Sequence, residues 1–177
     1  MGLLVSDGRV VSDELHPGYK AALVAAPARA APPSPGARAA PSARVLDLER
    51  EPLDPRAPAW REVAQSFMLF DHTGEMRVRK SERIANRTVV GEDRHGRLLV
   101  ITSEGGYTLW DFAQLLKTAP LDLSHAMCMD GGYEAELCIT SGDFRYANFG
   151  HWDGGAGPED SPGARIPLPA VVTVLAP

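Results

Sequence analysis

Short alternating runs of apolar and polar residues dominate this chain and favour β-strands over helices. The stretch Gly2–Val11 contains two apolar runs around Asp7-Gly8, which is a strong signal for a β-hairpin. Further segments share a strand-like pattern: Ser66–Phe70, Glu75–Arg79, Arg87–Val90, Leu98–Thr102, a strand ending at Asp130, Ala135–Ile139 and Ile166–Leu175. We therefore expect a fold built mainly from short strands.

One segment has a helical period instead. Its apolar residues recur at i, i+3, i+4 and i+7, namely at Leu109, Phe112, Ala113 and Leu116. Thr108 with Asp111 resembles a capping box in which Asp replaces the usual Glu, and Pro120 ends the segment. The pattern predicts one amphipathic helix at about 108–118. The fold class predicted is α+β, with a mixed, mostly antiparallel sheet and few helices.

Between about residues 25 and 43 the chain contains only Ala, Pro, Ser, Gly and Arg. Such a segment has too few large apolar side chains to offset the entropy of ordering it. We expect a solvent-exposed insert without regular structure. The chain of 177 residues is otherwise long enough for one hydrophobic core, so we expect a single domain over residues 1–177 that carries this insert.

Charge and hydropathy exclude several kinds of partner. The net charge is -5 and no cluster of Lys and Arg stands out, which argues against a nucleic-acid partner. No apolar run is long enough to cross a bilayer. The residues after Met1 lack the basic and apolar regions of an export signal, so we expect no signal peptide in this chain.

Most familiar catalytic motifs are absent. The chain has no nucleophile elbow, no phosphate loop, no dinucleotide fingerprint and no zinc-protease motif. The five histidines do not fall at metal-ligand spacings, and Cys128 with Cys138 offers too few ligands for zinc. We expect neither a metal nor a cofactor. The two cysteines could face each other on paired strands or be small buried apolar residues.

The stretch Ala126–Ile139 is the most informative in the chain, because an apolar strand leads directly into Asp130, Gly131 and Gly132. A carboxylate at a strand end, followed by glycines that allow close approach of a substrate, is a common way to build an active site. An ordinary hairpin with an Asp-Gly turn has the same sequence signal. Both interpretations remain open from this stretch alone.

Other charged residues also lie near predicted strand ends. Glu104 follows a strand and precedes two glycines, Glu134 lies just after the Asp-Gly-Gly turn, and Arg87 begins a strand. Two carboxyl groups and an arginine on one side of a sheet could hydrolyse a glycosidic bond in a charged substrate. One would protonate the leaving oxygen, and the other would act as nucleophile or activate water. The arginine would bind a phosphate or carboxylate with two hydrogen bonds. Taken singly, each residue is better explained as a surface or turn charge.

Four blocks, taken in order, resemble one known family. They are Gln65-Ser66, Arg87-Thr88-Val89-Val90-Gly91 with Gly96-Arg97-Leu98-Leu99-Val100, Tyr107-Thr108-Leu109 with its helix, and Met129-Asp130-Gly131-Gly132. Their order and spacing resemble the phosphodiester glycosidase family. That family includes the enzyme that uncovers mannose 6-phosphate by removing N-acetylglucosamine from a phosphodiester, and many exported bacterial proteins.

The resemblance implies a glycoside hydrolase that acts on a sugar-1-phosphodiester, in a periplasmic or extracellular location. It implies an anion-binding role for Arg87 and places Asp130 at the sugar or phosphate, and Glu104 matches an acid found in part of the family. Glu134 stands at a departure from the family pattern and could place another carboxylate at the site. The further matching positions imply substrate binding by the residues Gly131, Gly132, Gln65 and Ser66. The expected partner is a sugar phosphodiester or a cell-envelope glycan.

The chain departs from the family pattern at two places. Tyr133 and Glu134 stand where many members have a glycine and a serine. The chain also starts at the family's second strand segment, so we expect activity to be impaired by the missing first strand. The alternative function is a non-catalytic carbohydrate- or cell-envelope-binding module on the same fold. Such a module predicts a groove lined by Trp110, Trp152 or Tyr133 without paired acids.

Overall fold

The computed structural model describes residues 2–27, 42–150, 168 and 171–174. Its strands are β1 (Leu4–Ser6), β2 (Arg9–Ser12), β3 (Ala21–Pro27), β4 (Ala43–Asp47), β5 (Trp60–Ser66), β6 (Met68–Phe70), β7 (Arg87–Asp93), β8 (Leu98–Thr102), β9 (Leu123–Gly131), β10 (Leu137–Ser141) and β11 (Phe144–Asn148). Helix α1 spans Leu109–Thr118, and a single 3₁₀ turn spans Gly132–Glu134. Every strand pairing among the described residues is antiparallel. The sheet-dominated α+β class is therefore confirmed.

Two sheets pack face to face. Sheet I has the strand order β2-β1-β5-β3-β4, and sheet II has the order β6-β9-β7-β8. Side chains alternate along β3, so that Ala21 and Leu23 belong to the cluster shared with Val90 and Met127 of sheet II, whereas the intervening residue Ala22 belongs to a cluster formed within sheet I. Because side chains alternate between the two faces along β3, both faces of sheet I carry apolar side chains.

Helix α1 covers the other face of sheet II. Its buried residues Phe112 and Leu116 lie in one apolar cluster with Val89 of β7 and Cys128 of β9. At the start of the helix, Thr108 Oγ1 accepts a hydrogen bond from the Asp111 N–H (3.1 Å), as the capping pattern predicts. Strands β7 and β9 are therefore buried on both faces, which fixes the positions of the residues at their ends.

Two polar side chains join the sheets. Glu92 and His125 face each other across β7 and β9, and both reach the outer edge of β4. The N–H of Val45 donates to Glu92 Oε2 (3.1 Å), and the carbonyl oxygen of Val45 lies 2.8 Å from His125 Nε2. The side chains thus satisfy edge groups of β4 that would otherwise be open to pairing with another strand.

Two turns share the pattern Asp-x-x-Gly. In both, Oδ1 of the aspartate accepts hydrogen bonds from the N–H groups two and four residues later, at 2.9 and 3.1 Å for Asp71 and at 2.8 and 2.9 Å for Asp93. The glycine of each turn adopts a positive φ, 81° at Gly74 and 76° at Gly96. The turns are thus built from contacts within five residues.

Several predicted elements are confirmed and one is wrong. The hairpin at Gly2–Val11 is present as β1 and β2, with positive φ angles in its turn. The predicted strand at Glu75–Arg79 is not a strand, since Met76 forms an isolated bridge with Phe70. The side chain of the next residue, Arg77, instead makes an ion pair with Asp71.

The predicted insert at 25–43 falls largely on residues that the structure leaves undescribed. Its ends belong to sheet I, because β3 runs to Pro27 and Ala43 begins β4. Half of the predicted last strand, Ile166–Leu175, lies outside the described residues, and the described half, residues 168 and 171–174, belongs to no strand. No helix in the described part of the chain has the length and hydropathy needed to cross a bilayer.

The Asp71 turn generates a pH-dependent prediction. Burial by itself raises the pKa of Asp71, but the hydrogen bonds from Thr73, Arg77 and Glu75 outweigh burial and lower the pKa from 3.8 to about 2. A lowered carboxyl pKa adds stability that is complete above the unfolded value and is lost as the pH falls towards 2. In urea unfolding at pH 6 and pH 2, we expect wild type to lose about 2 kcal/mol more than Asp71→Asn. The exposed Asp143→Asn variant is the control and should behave like wild type. An equal pH dependence in wild type and Asp71→Asn would contradict this account.

Candidate functional site

Arg87 lies at the start of β7 and is buried, with 5% of its surface exposed. Two backbone carbonyls hold its guanidinium. Nε donates to the carbonyl oxygen of Tyr107 (2.8 Å), and Nη2 donates to that of Arg83 (2.6 Å). These bonds use two of the five guanidinium N–H groups and orient the others at the end of sheet II.

No carboxylate neutralises Arg87 within the described residues. Its side chain makes none of the ion pairs found there, for which the limit is 4.0 Å. Burial lowers the pKa of Arg87; the Cys128 thiol group acts in the opposite direction, and Arg83 lowers the pKa further. A buried cation without a counter-charge is costly, so the site favours an anionic ligand.

The two glycines after Asp130 have different structural roles. Gly131 is the cross-strand partner of Arg87, and a Cβ atom there would lie 3.1 Å from Arg87 Nη1 and 3.1 Å from the carbonyl oxygen of Asn86. Its φ of -142° is ordinary extended backbone, so space for the guanidinium requires this glycine. Gly132 instead has a φ of 75°, a left-handed conformation that favours glycine, at the start of the 3₁₀ turn.

Asp130 lies within β9 and is exposed, at a point where the register between β7 and β9 shifts. Its Oδ1 accepts a hydrogen bond from the N–H of Gly131 (2.9 Å). Strands β9 and β10 are not paired with each other, so the simple hairpin interpretation of this stretch is wrong. Asp130 therefore lies in a strand end beside Arg87 and not at a hairpin tip.

The thiol of Cys128 lies close enough to both charges to respond to them. Burial raises the pKa of Cys128 to about 12, while Arg87 lowers and Asp130 raises this value. A thiol with so high a pKa remains protonated and is a poor nucleophile. Cys138 is exposed and both cysteines are free, so Cys128 is a small buried apolar residue.

Glu104 lies just beyond β8 and is exposed. Its Oε1 accepts a hydrogen bond from the hydroxyl group of Tyr146 (3.3 Å), and Asn148 Nδ2 donates to Thr102 Oγ1 (3.1 Å). These two bonds dock the β10–β11 hairpin on the end of β8. Burial raises the pKa of Tyr146 and the charge of Glu104 raises it further, which keeps the hydroxyl group protonated. Glu134 is half-buried in the 3₁₀ turn, four residues after Asp130.

Gln65 and Ser66 lie in sheet I, at the end of β5. The Gln65 amide makes four hydrogen bonds: Oε1 accepts from the N–H groups of Leu3 (2.9 Å) and His16 (3.0 Å), and Nε2 donates to the carbonyl oxygens of His16 (3.1 Å) and Tyr19 (2.8 Å). These bonds use the whole hydrogen-bonding capacity of the amide. Gln65 thus ties the loop after β2 to sheet I, and its role in substrate binding remains a prediction.

The aromatic residues expected to line the groove of a binding module lie on separate elements where the structure describes them. Lys80 Nζ lies 5.4 Å from the centre of the Trp110 ring on α1, Tyr133 is half-buried in the 3₁₀ turn, and Trp152 lies outside the described residues. A cleft of about 560 Å³ lies on sheet I between Leu4, Leu23 and Val172. Its lining includes none of the predicted site residues. Within the described part of the chain, no group of three or more His, Cys, Asp or Glu side chains could hold a metal ion.

Sequence reasoning missed three residues that shape this site: Asn86, Ser103 and Tyr146. Asn86 and Ser103 are buried polar residues whose hydrogen bonds surround the backbone of Arg87. The only sequence signal for Asn86 is its position directly before Arg87. Tyr146 belongs to β11, a strand that the sequence analysis left unassigned.

The family model described as phosphodiester glycosidase matches residues 1–163 of this chain. The match confirms the resemblance found in the sequence blocks. It covers sheet I, sheet II, helix α1 and the β10–β11 hairpin. No curated protein matches the chain.

Substitution of Gly131 tests the space around Arg87. In Gly131→Ala, the new Cβ would meet Arg87 Nη1 and the Asn86 carbonyl at 3.1 Å, so the guanidinium or the strand must shift. We expect inorganic phosphate to bind about 10-fold more weakly, equivalent to about 1.4 kcal/mol, in isothermal titration calorimetry. Gly105→Ala is the control for stability, since its Cβ would make an ordinary contact of 3.8 Å with Tyr107. Wild-type phosphate affinity in Gly131→Ala would contradict the proposed role of this space.

Proposed function

We propose that this chain, which belongs to the phosphodiester glycosidase family, hydrolyses a sugar-1-phosphodiester. The observation that carries the proposal is Arg87, a buried guanidinium without a carboxylate partner among the described residues. Its Nη1 group lies beside Gly131, the residue that follows Asp130 in β9. A cation and a carboxylate at one strand end suit a substrate that joins a sugar carbon to a phosphate.

Arg87 would bind the phosphate and stabilise it as it leaves. Hydrolysis breaks the bond between C1 of the sugar and the phosphate oxygen, while water supplies a hydroxyl group to C1 and a proton to the solvent or the phosphate. Negative charge develops on the leaving phosphate monoester. Guanidinium N–H groups that are already oriented by Tyr107 and Arg83 would stabilise that charge without reorganisation.

Asp130 would act at C1. The Gly131 N–H holds Oδ1, which leaves Oδ2 to attack C1 or to activate the water. Phosphate is a good leaving group because its second pKa is only about 6, so the demand for a general acid is small. Glu104, held by the Tyr146 hydroxyl group, is the second carboxylate that we propose, and Glu134 is the alternative.

The site of action that we propose is the periplasm or the exterior of the cell, on a free sugar phosphodiester or a cell-envelope glycan. This part of the proposal rests on the family, many members of which are exported. Both candidate substrates carry a phosphate that Arg87 would bind with two hydrogen bonds.

A non-catalytic binding module is the second candidate. The observation that favours it is the exposure of both Asp130 and Glu104, because catalytic carboxylates are usually shielded from bulk water. Such a module would still use Arg87 for the anion. Turnover, measured separately from binding, distinguishes the two candidates.

The test uses sugar-1-phosphodiesters of N-acetylglucosamine and glucose with a p-nitrophenyl group on the phosphate. Cleavage at C1 releases p-nitrophenyl phosphate, which an added phosphatase converts into a coloured product. We expect Asp130→Asn to lose at least ~100-fold in kcat. Arg87→Lys should raise KM about 10-fold, because lysine retains the charge but loses the planar fork.

The exposed Arg94→Lys variant is the matched control for a change from arginine to lysine. Its side chain pairs with Asp122, and its kinetics should equal those of wild type. Full turnover by Asp130→Asn would overturn the catalytic role of Asp130. Binding of the reporters without any turnover, lost in Arg87→Lys, would instead support the binding module.

A further inference from the structure

The last rung between β7 and β8 is built partly from side chains. The N–H of Ser103 donates to the carbonyl oxygen of Arg87 (2.9 Å), as in a normal antiparallel pair. The reciprocal bond, from the N–H of Arg87 to the carbonyl oxygen of Ser103, is replaced by two bonds to side chains. The N–H of Arg87 donates to Ser103 Oγ (2.8 Å), and the carbonyl oxygen of Ser103 accepts from Asn86 Nδ2 (2.8 Å). Two side chains thus complete a rung that two backbones normally form alone.

Asn86 also reaches the other neighbouring strand. Its carbonyl oxygen accepts a hydrogen bond from the N–H of Gly132 (3.0 Å), so that Asn86 joins the end of β8 to the turn after Asp130. Asn86 is 1% exposed and Ser103 is 6% exposed, so water does not compete for these bonds. The same buried residue therefore contacts both halves of the anion site.

The loop after Ser103 returns to Arg87 from the opposite side. Ser103 Oγ holds the backbone N–H of Arg87, while the carbonyl oxygen of Tyr107 holds its Nε. Tyr107 is itself fixed by paired backbone hydrogen bonds with Ala85, at 3.0 and 3.2 Å. Both ends of the Arg87 residue are thus attached to a single loop of five residues, 103–107.

We propose that Asn86 and Ser103 are positioning residues that hold Arg87 in register with Gly131 and Gly132 for binding of the substrate's phosphate. The inference rests on the proposed function, since it assigns Arg87 to the anion. Neither residue touches the substrate. Each acts through Arg87, because these hydrogen bonds between the ends of β7 and β8 fix the position of the Arg87 backbone. The backbone position in turn determines where the guanidinium lies.

The matched pair for the test is Ser103→Ala and Thr88→Val, each of which removes one hydroxyl group near the end of the β7–β8 pair. The Thr88 hydroxyl oxygen is buried and has no hydrogen-bond partner among the described residues, so its loss leaves the rung intact. We expect Ser103→Ala to weaken binding of inorganic phosphate about 10-fold and to raise the reporter KM more than it lowers kcat. Thr88→Val should bind phosphate like wild type, and Ser103→Thr, which keeps a hydroxyl group, should restore most of the affinity.

A double-mutant cycle separates positioning from general stability. If Ser103 acts through Arg87, the double variant Ser103→Ala/Arg87→Lys should lose less phosphate affinity, in free energy, than the sum of the two single losses. Additive losses would overturn the inference, as would a lower Tm in Ser103→Ala with phosphate affinity within twofold of wild type. If Ser103→Ala does not fold, Asn86→Ala serves in the same cycle, because it removes the donor to the Ser103 carbonyl oxygen without adding a charge.

The outcomes distinguish this inference from the proposed function. Phosphate binding by wild type without turnover of any reporter, combined with a non-additive cycle, would support the positioning role and overturn the hydrolase. Absence of phosphate binding by wild type would overturn both. Turnover by wild type with an additive cycle would support the hydrolase and overturn only the positioning role.

Discussion

The candidate site depends on one constraint, which is that a guanidinium lies buried at a strand end without a carboxylate beside it in the described structure. Burial of a charge is costly unless other groups stabilise it. The carbonyl oxygens of Tyr107 and Arg83 provide part of that stabilisation, and the missing side chain of Gly131 provides the room. The positive charge of the Arg87 guanidinium is not neutralised by these groups, and a phosphate could bind it with charge-assisted hydrogen bonds.

The architecture supports this constraint by making the strands that carry it rigid. Sheet I covers one face of β7 and β9 and helix α1 covers the other, so these strands have no freedom to relax around the charge. The carboxylates of Asp130 and Glu104 are exposed at the same end. The structure thus combines a rigid, buried guanidinium with exposed carboxylates at one end of sheet II.

Sequence reasoning succeeded where the signal is local and strong. The period of 3.6 residues located α1, and the apolar runs around Asp7-Gly8 located the first hairpin. Reasoning failed at β3, where an Ala- and Pro-rich composition concealed a strand that is buried between its neighbours. It also took Asp-Gly for a possible hairpin turn, because the choice of a partner for β9 depends on β6 and β7, which are distant in the sequence.

The sequence alone determined the features that a few neighbouring residues can build: the Asp71 and Asp93 turns and the Thr108 cap of the helix. Each forms from groups no more than five residues apart, so composition and spacing specify it. Only the tertiary structure decided that Gln65 is fully occupied and that Arg87 has no carboxylate partner in the described residues. The hydrogen bonds of Gln65 and the bond from Arg87 Nε to Tyr107 join groups that lie 20 to 62 residues apart in the sequence, and packing of the sheets brings them together.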